Sequence, residues 1–200
     1  MSLLVKICGL RTAADVAAAV DAGADAIGFV FAESKRRVTP AEASAAAADA
    51  PAKVTRVAVM LHPSNDEWQA VLEGFAPDVL QTDVEDFASL DVPASVTRWP
   101  VIREGNPALD DELLPATFLY EGAKSGQGET VDWTRAADVA ARGRMILAGG
   151  ISAANVVEAV ATAKPYGVDV SSAVESAPGR KDPAMIQDFV KAARAAEQTL

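Results

Sequence analysis

Residues 3–31, LLVKICGLRTAADVAAAVDAGADAIGFVF, decide the fold. Leu3 to Cys8 reads as a short strand that runs into Gly9. Thr12 and Asp15 stand in the spacing of a capping box, which opens an amphipathic helix that Gly23 stops. Ala26 to Phe31, Ala-Ile-Gly-Phe-Val-Phe, is a second strand. Strand, helix and strand in about thirty residues is a βαβ unit, so the two strands lie parallel.

The same alternation continues. Thr39, Pro40 and Glu42 open an Ala-rich helix, followed by a strand over Val54–Met60. Ser64 and Glu67 cap a helix whose Trp68, Val71, Leu72 and Phe75 share one face. Asp78–Gln81, Val96–Arg103, Ala116–Glu121, Arg144–Ala148 and Val168–Ser172 supply five more strands. Weak helices are expected over Glu85–Leu90 and Pro107–Leu114, and firmer ones over Thr134–Arg142 and Ala153–Lys164, the latter capped by Ser152. Asp182 and Pro183 open a last helix that aligns Ile186, Phe189, Val190 and Ala193. Eight strands in strict alternation with about eight helices predict an α/β chain, residues 1–200 forming a single-domain (β/α)8 TIM barrel, short against the ~250 residues usual for that fold.

Composition removes several classes of function. The net charge of −10 argues against nucleic acid and against anionic membrane surfaces. One Cys allows no internal disulfide, which fits a reducing cytoplasm, and one Cys with one His makes no Cys/His metal cluster. No signal peptide is visible, and no run approaches the ~20 apolar residues of a membrane span.

A barrel places its site at the C-terminal ends of its strands. There stand Cys8-Gly9, Glu33 to Arg37, Leu61-His62, Gln81, Arg103, Glu121 to Glu129, Gly149-Gly150 and Asp169 to Ser172. The last two loops, with a short helix expected at Ala173–Glu175, suit a phosphate held by backbone N–H groups. The plainer reading makes Gly149-Gly150 a turn and Ser171-Ser172 a cap; two such loops side by side favour phosphate. Cys8 admits a plain reading as a small buried apolar group, but its place at a strand end before Gly9 favours function. Lys6, two residues earlier on the same face, would favour its thiolate.

Lys6-Ile7-Cys8-Gly9-Leu10 resembles the opening motif of the phosphoribosylanthranilate isomerases. Gly28-Phe29-Val30-Phe31 with Ser34-Lys35-Arg36, Leu147 to Ile151, and Pro165 to Ser172 with Val174 to Gly179 are similar to later motifs of that family, in its order. The resemblance implies a single-domain barrel of tryptophan biosynthesis. Such enzymes convert N-(5′-phosphoribosyl)anthranilate to 1-(2-carboxyphenylamino)-1-deoxyribulose 5-phosphate by an Amadori rearrangement, with no metal or organic cofactor.

It also implies roles. Cys8 would be the general base and Glu121, where the family has aspartate, the general acid. Arg36 would hold the anthranilate carboxylate, with Arg37 facing solvent. Lys6, Gln81 and Asp169 would bind substrate, Asp169 near the sugar and pairing with Lys6, a substrate hydroxyl or both. Gly149, Gly150, Ser171 and Ser172 would bind phosphate. Besides Glu121, the chain departs from the family at Thr82-Asp83-Val84, usually Leu-His-Gly, and at Ala173, usually glycine. His62 matches no functional residue and is expected on an exposed loop. The partner is a small phosphoribosyl substrate, the state a monomer or homodimer in the cytoplasm, and the glycine-rich loop Gly122–Glu129 a candidate lid. Two alternatives remain: a related isomerase of histidine biosynthesis, usually longer and built as two similar halves that are not visible here, and a non-catalytic phosphosugar-binding barrel.

Overall fold

Eight parallel strands pair in chain order and close on themselves in the computed structural model, which describes residues 2–107, 114–122 and 131–200. They are β1 Leu4–Cys8, β2 Ala26–Val30, β3 Thr55–Val59, β4 Val79–Asp83, β5 Thr97–Arg103, β6 Thr117–Glu121, β7 Arg144–Leu147 and β8 Gly167–Val170. The seam between β8 and β1 matches Leu4 with Gly167, Val5 with Val168, Lys6 with Asp169 and Ile7 with Val170.

Side chains alternate across each strand, and both faces are buried. Val5, Ile7, Phe29, Leu80, Ile102, Phe118 and Val168 point outward into a helix-covered core. Ala26, Val57, Val79, Trp99, Val101, Leu119 and Ile146 point inward and fill the barrel. The inward set turns polar toward the C-terminal ends. Lys6, Gln81 and Asp83 are buried polar residues on inward positions of β1 and β4. The apolar filling is thus a floor, and the polar rung above it is the place for chemistry.

Six α-helices lie among the described residues: α1 Ala13–Ala22, α2 Pro40–Ala46, α3 Asn65–Phe75, α4 Trp133–Ala140, α5 Val156–Ala163 and α6 Pro183–Ala196. The capping boxes of α1, α2 and α3 form on the residues that predict them. Gly23 ends α1 with φ 93°.

The strict alternation does not hold. A 3-10 turn over Val84–Ala88 joins β4 to β5 in place of a helix. The helix expected over Pro107–Leu114 falls, from 108 to 113, outside the described residues, as does the candidate lid from 123 to 129. Ser152 does not cap α5 with its side chain. Its carbonyl accepts the Val156 N–H at 3.0 Å, and its own N–H donates to Asn155 Oδ1 at 2.7 Å. The extra helix at 173–175 is instead a 3-10 turn, Ser172–Val174, followed by a small antiparallel hairpin, β9 Glu175–Ala177 and β10 Arg180–Lys181. Among the described residues no helix is long and apolar enough to cross a membrane.

Candidate active site

β1 and β8 meet at a buried ion pair. Lys6 is fully buried, and its Nζ lies 2.8 Å from Asp169 Oδ1. Burial pulls the lysine pKa down, but the charge of Asp169, helped by Cys8, outweighs it and the net shift is upward. Lys6 is therefore a firm cation. Asp169 has its expected protein partner.

Cys8 follows on the same face and is 6% exposed. Burial pushes its thiol upward. Lys6 and Lys181 pull it down, and Asp169 adds to the rise; the net direction is up. Lys6 acts in the expected sense but does not win, because burial outweighs it and Asp169 adds to the rise. The surroundings thus favour the thiol over the thiolate in the resting site.

Two glycines make room for this pair. Gly28 stands opposite Cys8 on β2. A Cβ there would lie 3.0 Å from Cys8 Sγ and 3.1 Å from Lys6 Cε. Gly9 adopts φ +76°, and a Cβ on it would lie 2.5 Å from Arg36 Cδ. The stem of Arg36 thus lies across the glycine that follows the cysteine.

Arg36 brings a second cluster. Its Nε and Nη2 donate to the two carboxylate oxygens of Glu175 at 2.7 and 2.9 Å, a bidentate fork. Lys181 donates to the same carboxylate at 2.9 Å and to the Ser171 carbonyl at 2.9 Å. Burial works against the Glu175 anion, but Arg36 and Lys181 prevail and hold its pKa down at about 2. Burial draws Lys181 below its ordinary value. Ser171 Oγ donates to the Cys8 carbonyl at 3.1 Å, tying the end of β8 to the end of β1. Arg37 is exposed, as expected.

Across the mouth, Glu121 ends β6. Burial pushes its carboxyl pKa up against the pull of Arg103, and the charges of Asp169 and Asp83 add to the rise. Arg103, at the end of β5, pairs with Glu121 through Nη1 and with Asp83 Oδ1 through Nη2 at 2.6 Å. His62 lies beyond, two-thirds exposed, with φ 47°. Its Nδ1 is 3.0 Å from Asp86 Oδ1, and its Nε2 is 3.6 Å from Asp83 Oδ2. The histidine is exposed as expected, yet it touches the outer edge of this network.

Gln81, at 6% exposure, points inward below Asp83, and its Oε1 has no partner among the described residues. Gly149 and Gly150 have φ of 85° and 63°, and the Gly150 carbonyl accepts from Asn155 Nδ2 at 2.9 Å. Ser172 opens the adjacent 3-10 turn. Ala173 has no positive φ, so its side chain causes no backbone strain.

The barrel thus gathers the ten residues singled out from the sequence at one end. It adds Arg103, Asp83, Glu175 and Lys181. Arg103 was legible as a strand-end charge, while Asp83 stood out only as a departure from the family's pattern, because the expected strand stops at Gln81 and β4 runs on to Asp83. Glu175 and Lys181 were not, because a hairpin too short to show a period brings them together. Among the described residues Lys6, Arg36, Arg103 and Lys181 face the carboxyl groups of Asp169, Glu175, Asp83 and Glu121, so the mouth concentrates cations in a chain of net charge −10. Among the described residues no group of three or more His, Cys, Asp or Glu is placed to hold a metal ion.

A thiol and a buried carboxyl share one barrel mouth with cations, an arrangement able to hold and pass protons beside an anionic ligand, as a barrel isomerase requires. The family follows from comparison. A family model described as N-(5′-phosphoribosyl)anthranilate (PRA) isomerase matches residues 5–192. The chain is 39% identical over 206 residues to the N-(5′-phosphoribosyl)anthranilate isomerase of Listeria monocytogenes, covering 98% of this chain and 100% of that one. A phosphoribosylanthranilate isomerase solved with reduced 1-(o-carboxyphenylamino)-1-deoxyribulose 5-phosphate superposes with a TM-score of 0.82 at 29% identity, covering 96% and 99%. Monomers made from the dimeric enzyme of Thermotoga maritima give the same score, identity and coverage. The chain belongs to the phosphoribosylanthranilate isomerase family.

Proposed function

We propose that this enzyme isomerises N-(5′-phosphoribosyl)anthranilate with Cys8 as general base and Glu121 as general acid. The carrying observation is their placement: two inward side chains, ending β1 and β6, with the glycine and serine loops of β7 and β8 between them. A sugar whose phosphate rests on those loops lies between the two groups.

The steps follow from the chemistry. Glu121 gives its proton to the furanose ring oxygen, the C1′–O bond breaks, and a protonated Schiff base forms. Cys8 takes the proton from C2′, and the electron pair moves to the iminium nitrogen to give an enolamine. Tautomerisation of the enolamine gives the aminoketose. Burial suits Glu121 to hold a proton until the ring oxygen needs it. The resting thiol must ionise, and the iminium cation adds to Lys6 at the moment the base is required.

The remaining roles fit the same pose. Gly149, Gly150, Ser171 and Ser172 take the phosphate. Gln81 Oε1 is an acceptor with no protein partner among the described residues, suited to a substrate hydroxyl or amine. Asp169 with Lys6 faces the sugar, and Arg36, steadied by Glu175, receives the anthranilate carboxylate. Cytoplasmic residence and a monomer or homodimer belong to the same reading.

Purified protein will quench the fluorescence of freshly made phosphoribosylanthranilate. Cys8→Ala and Glu121→Ala will lose turnover and keep phosphate-dependent binding. Unimpaired turnover in Glu121→Ala would sink the acid assignment. Loss in Asp169→Asn with turnover spared in Glu121→Gln would move the role to Asp169. Wild-type binding without turnover would leave a phosphosugar-binding barrel.

A further inference from the structure

Two positions at which the chain departs from its family's pattern, Asp83 and Glu121, meet on a third residue. β4, β5 and β6 are neighbours, and the register sets Arg103 beside Glu121 and Asp83 beside Val101. The inward face of the top rung therefore reads carboxylate, guanidinium, carboxylate. Arg103 spends one terminal nitrogen on each: Nη2 on Asp83 Oδ1 at 2.6 Å, and Nη1 on Glu121 Oε1.

A general acid needs a fixed position and a proton. One arginine gripping it alone supplies the first and works against the second, since a cation beside a carboxyl favours the anion. A second carboxylate on the same guanidinium divides the pull and adds negative potential of its own. We propose that Arg103 is the positioning residue of Glu121, and that Asp83 is the counter-charge that keeps Arg103 from claiming Glu121 as a simple ion pair. The longer side chain at 121 belongs to this arrangement, because an aspartate there ends one methylene short of the guanidinium.

The surrounding charges agree. Among the described residues, those acting on Glu121 are Arg103 from β5, Asp83 from β4 and Asp169 from β8. Asp169 is itself paired with Lys6. Asp83 faces His62 on its outer side at 3.6 Å, and Asp86 holds the other ring nitrogen of that histidine. Among the described residues Arg103 is the one cation in direct contact with Glu121, so the balance between its two carboxylates sets the charge that Glu121 meets from this cluster.

This inference rests on the reading of Glu121 as the acid, and the test separates the two. Carbon-13 NMR of labelled glutamate carboxyls follows the titration of Glu121, identified as the signal missing from Glu121→Gln. In Asp83→Asn the midpoint moves to lower pH, and in Arg103→Gln to higher pH, each by about half a unit or more. Arg103→Gln also lowers kcat about tenfold with KM moving less, and Arg103→Lys recovers part of that loss. Opposite shifts from adjacent substitutions do not come from a general packing defect. An unmoved midpoint in Asp83→Asn overturns the proposal, even if Arg103→Gln does not fold. An unchanged kcat in a folded Arg103→Gln also overturns it. Turnover retained in Glu121→Gln instead removes the acid reading, and the NMR midpoints are measured independently of that result.

Discussion

Gly28 shows how a single missing atom supports the site. The space its side chain would occupy is taken by Cys8 Sγ and Lys6 Cε, at 3.0 and 3.1 Å from the position of a Cβ. Gly28→Ala must displace one or both, since close-packed interiors do not absorb an added methyl freely. The expected cost is about 1–3 kcal/mol, read from the urea midpoint. Because the displaced atoms belong to the proposed base and the cation beside it, kcat is expected to fall about tenfold or more. Full activity in a destabilised Gly28→Ala would mean that the cysteine tolerates displacement. The inward set at this scale was legible because strand alternation and strand ends mark Lys6, Cys8, Gln81, Glu121 and Asp169 in one dimension. What Arg103 does was not, since its partners lie 20 residues before it and 18 after, on two other strands. The sequence places it at a strand end; only the sheet supplies its neighbours.

At the scale of elements, the β9–β10 hairpin deserves most credit for holding the mouth together. It carries Glu175 and Lys181 inward, and with Arg36 from the loop after β2 it forms a buried cluster of two cations on one anion. Removing the anion leaves two cations facing each other. Glu175→Gln is expected to lose about 3 kcal/mol in chemical denaturation. The pH dependence has a definite sign. Glu175 ionises at about 2 in the folded chain and near 4.5 in its ordinary state. Its contribution to stability is complete above about pH 4.5 and drains away as the pH falls toward 2. The wild type therefore loses more stability than Glu175→Gln over that window, which paired denaturation curves will show. Helices α1, α2 and α3 were legible because a hydroxyl and a carboxylate three residues apart form a local signal. α5 was misjudged at its start because a backbone carbonyl, not the Ser152 hydroxyl, begins it. The hairpin, strands of three and two residues around Pro178-Gly179, is too short for any period to appear.

At the scale of the whole molecule, charge is distributed unevenly. The chain is strongly acidic, while among the described residues the mouth sets four cations against four carboxyl groups. An anionic phosphosugar approaches against the general field and meets the cations only at close range. Salt screens distant charges more than half-buried ones. Raising the salt from about 10 to 150 mM is thus expected to increase kcat/KM about twofold. A decrease would mean that the mouth cations govern the approach as well as the docking. The fold itself was legible because eight apolar strands at regular intervals leave few other ways to bury both faces. The seam between β8 and β1 has one more consequence, which concerns synthesis. Lys6 is made first, and Asp169, its one carboxylate partner in contact among the described residues, 163 residues later. Until the last strand emerges from the ribosome, burying the first would strand an ammonium group in apolar surroundings. The growing chain is thus discouraged from sealing itself early with too few strands, and the cysteine reaches its working surroundings only when the ring is whole.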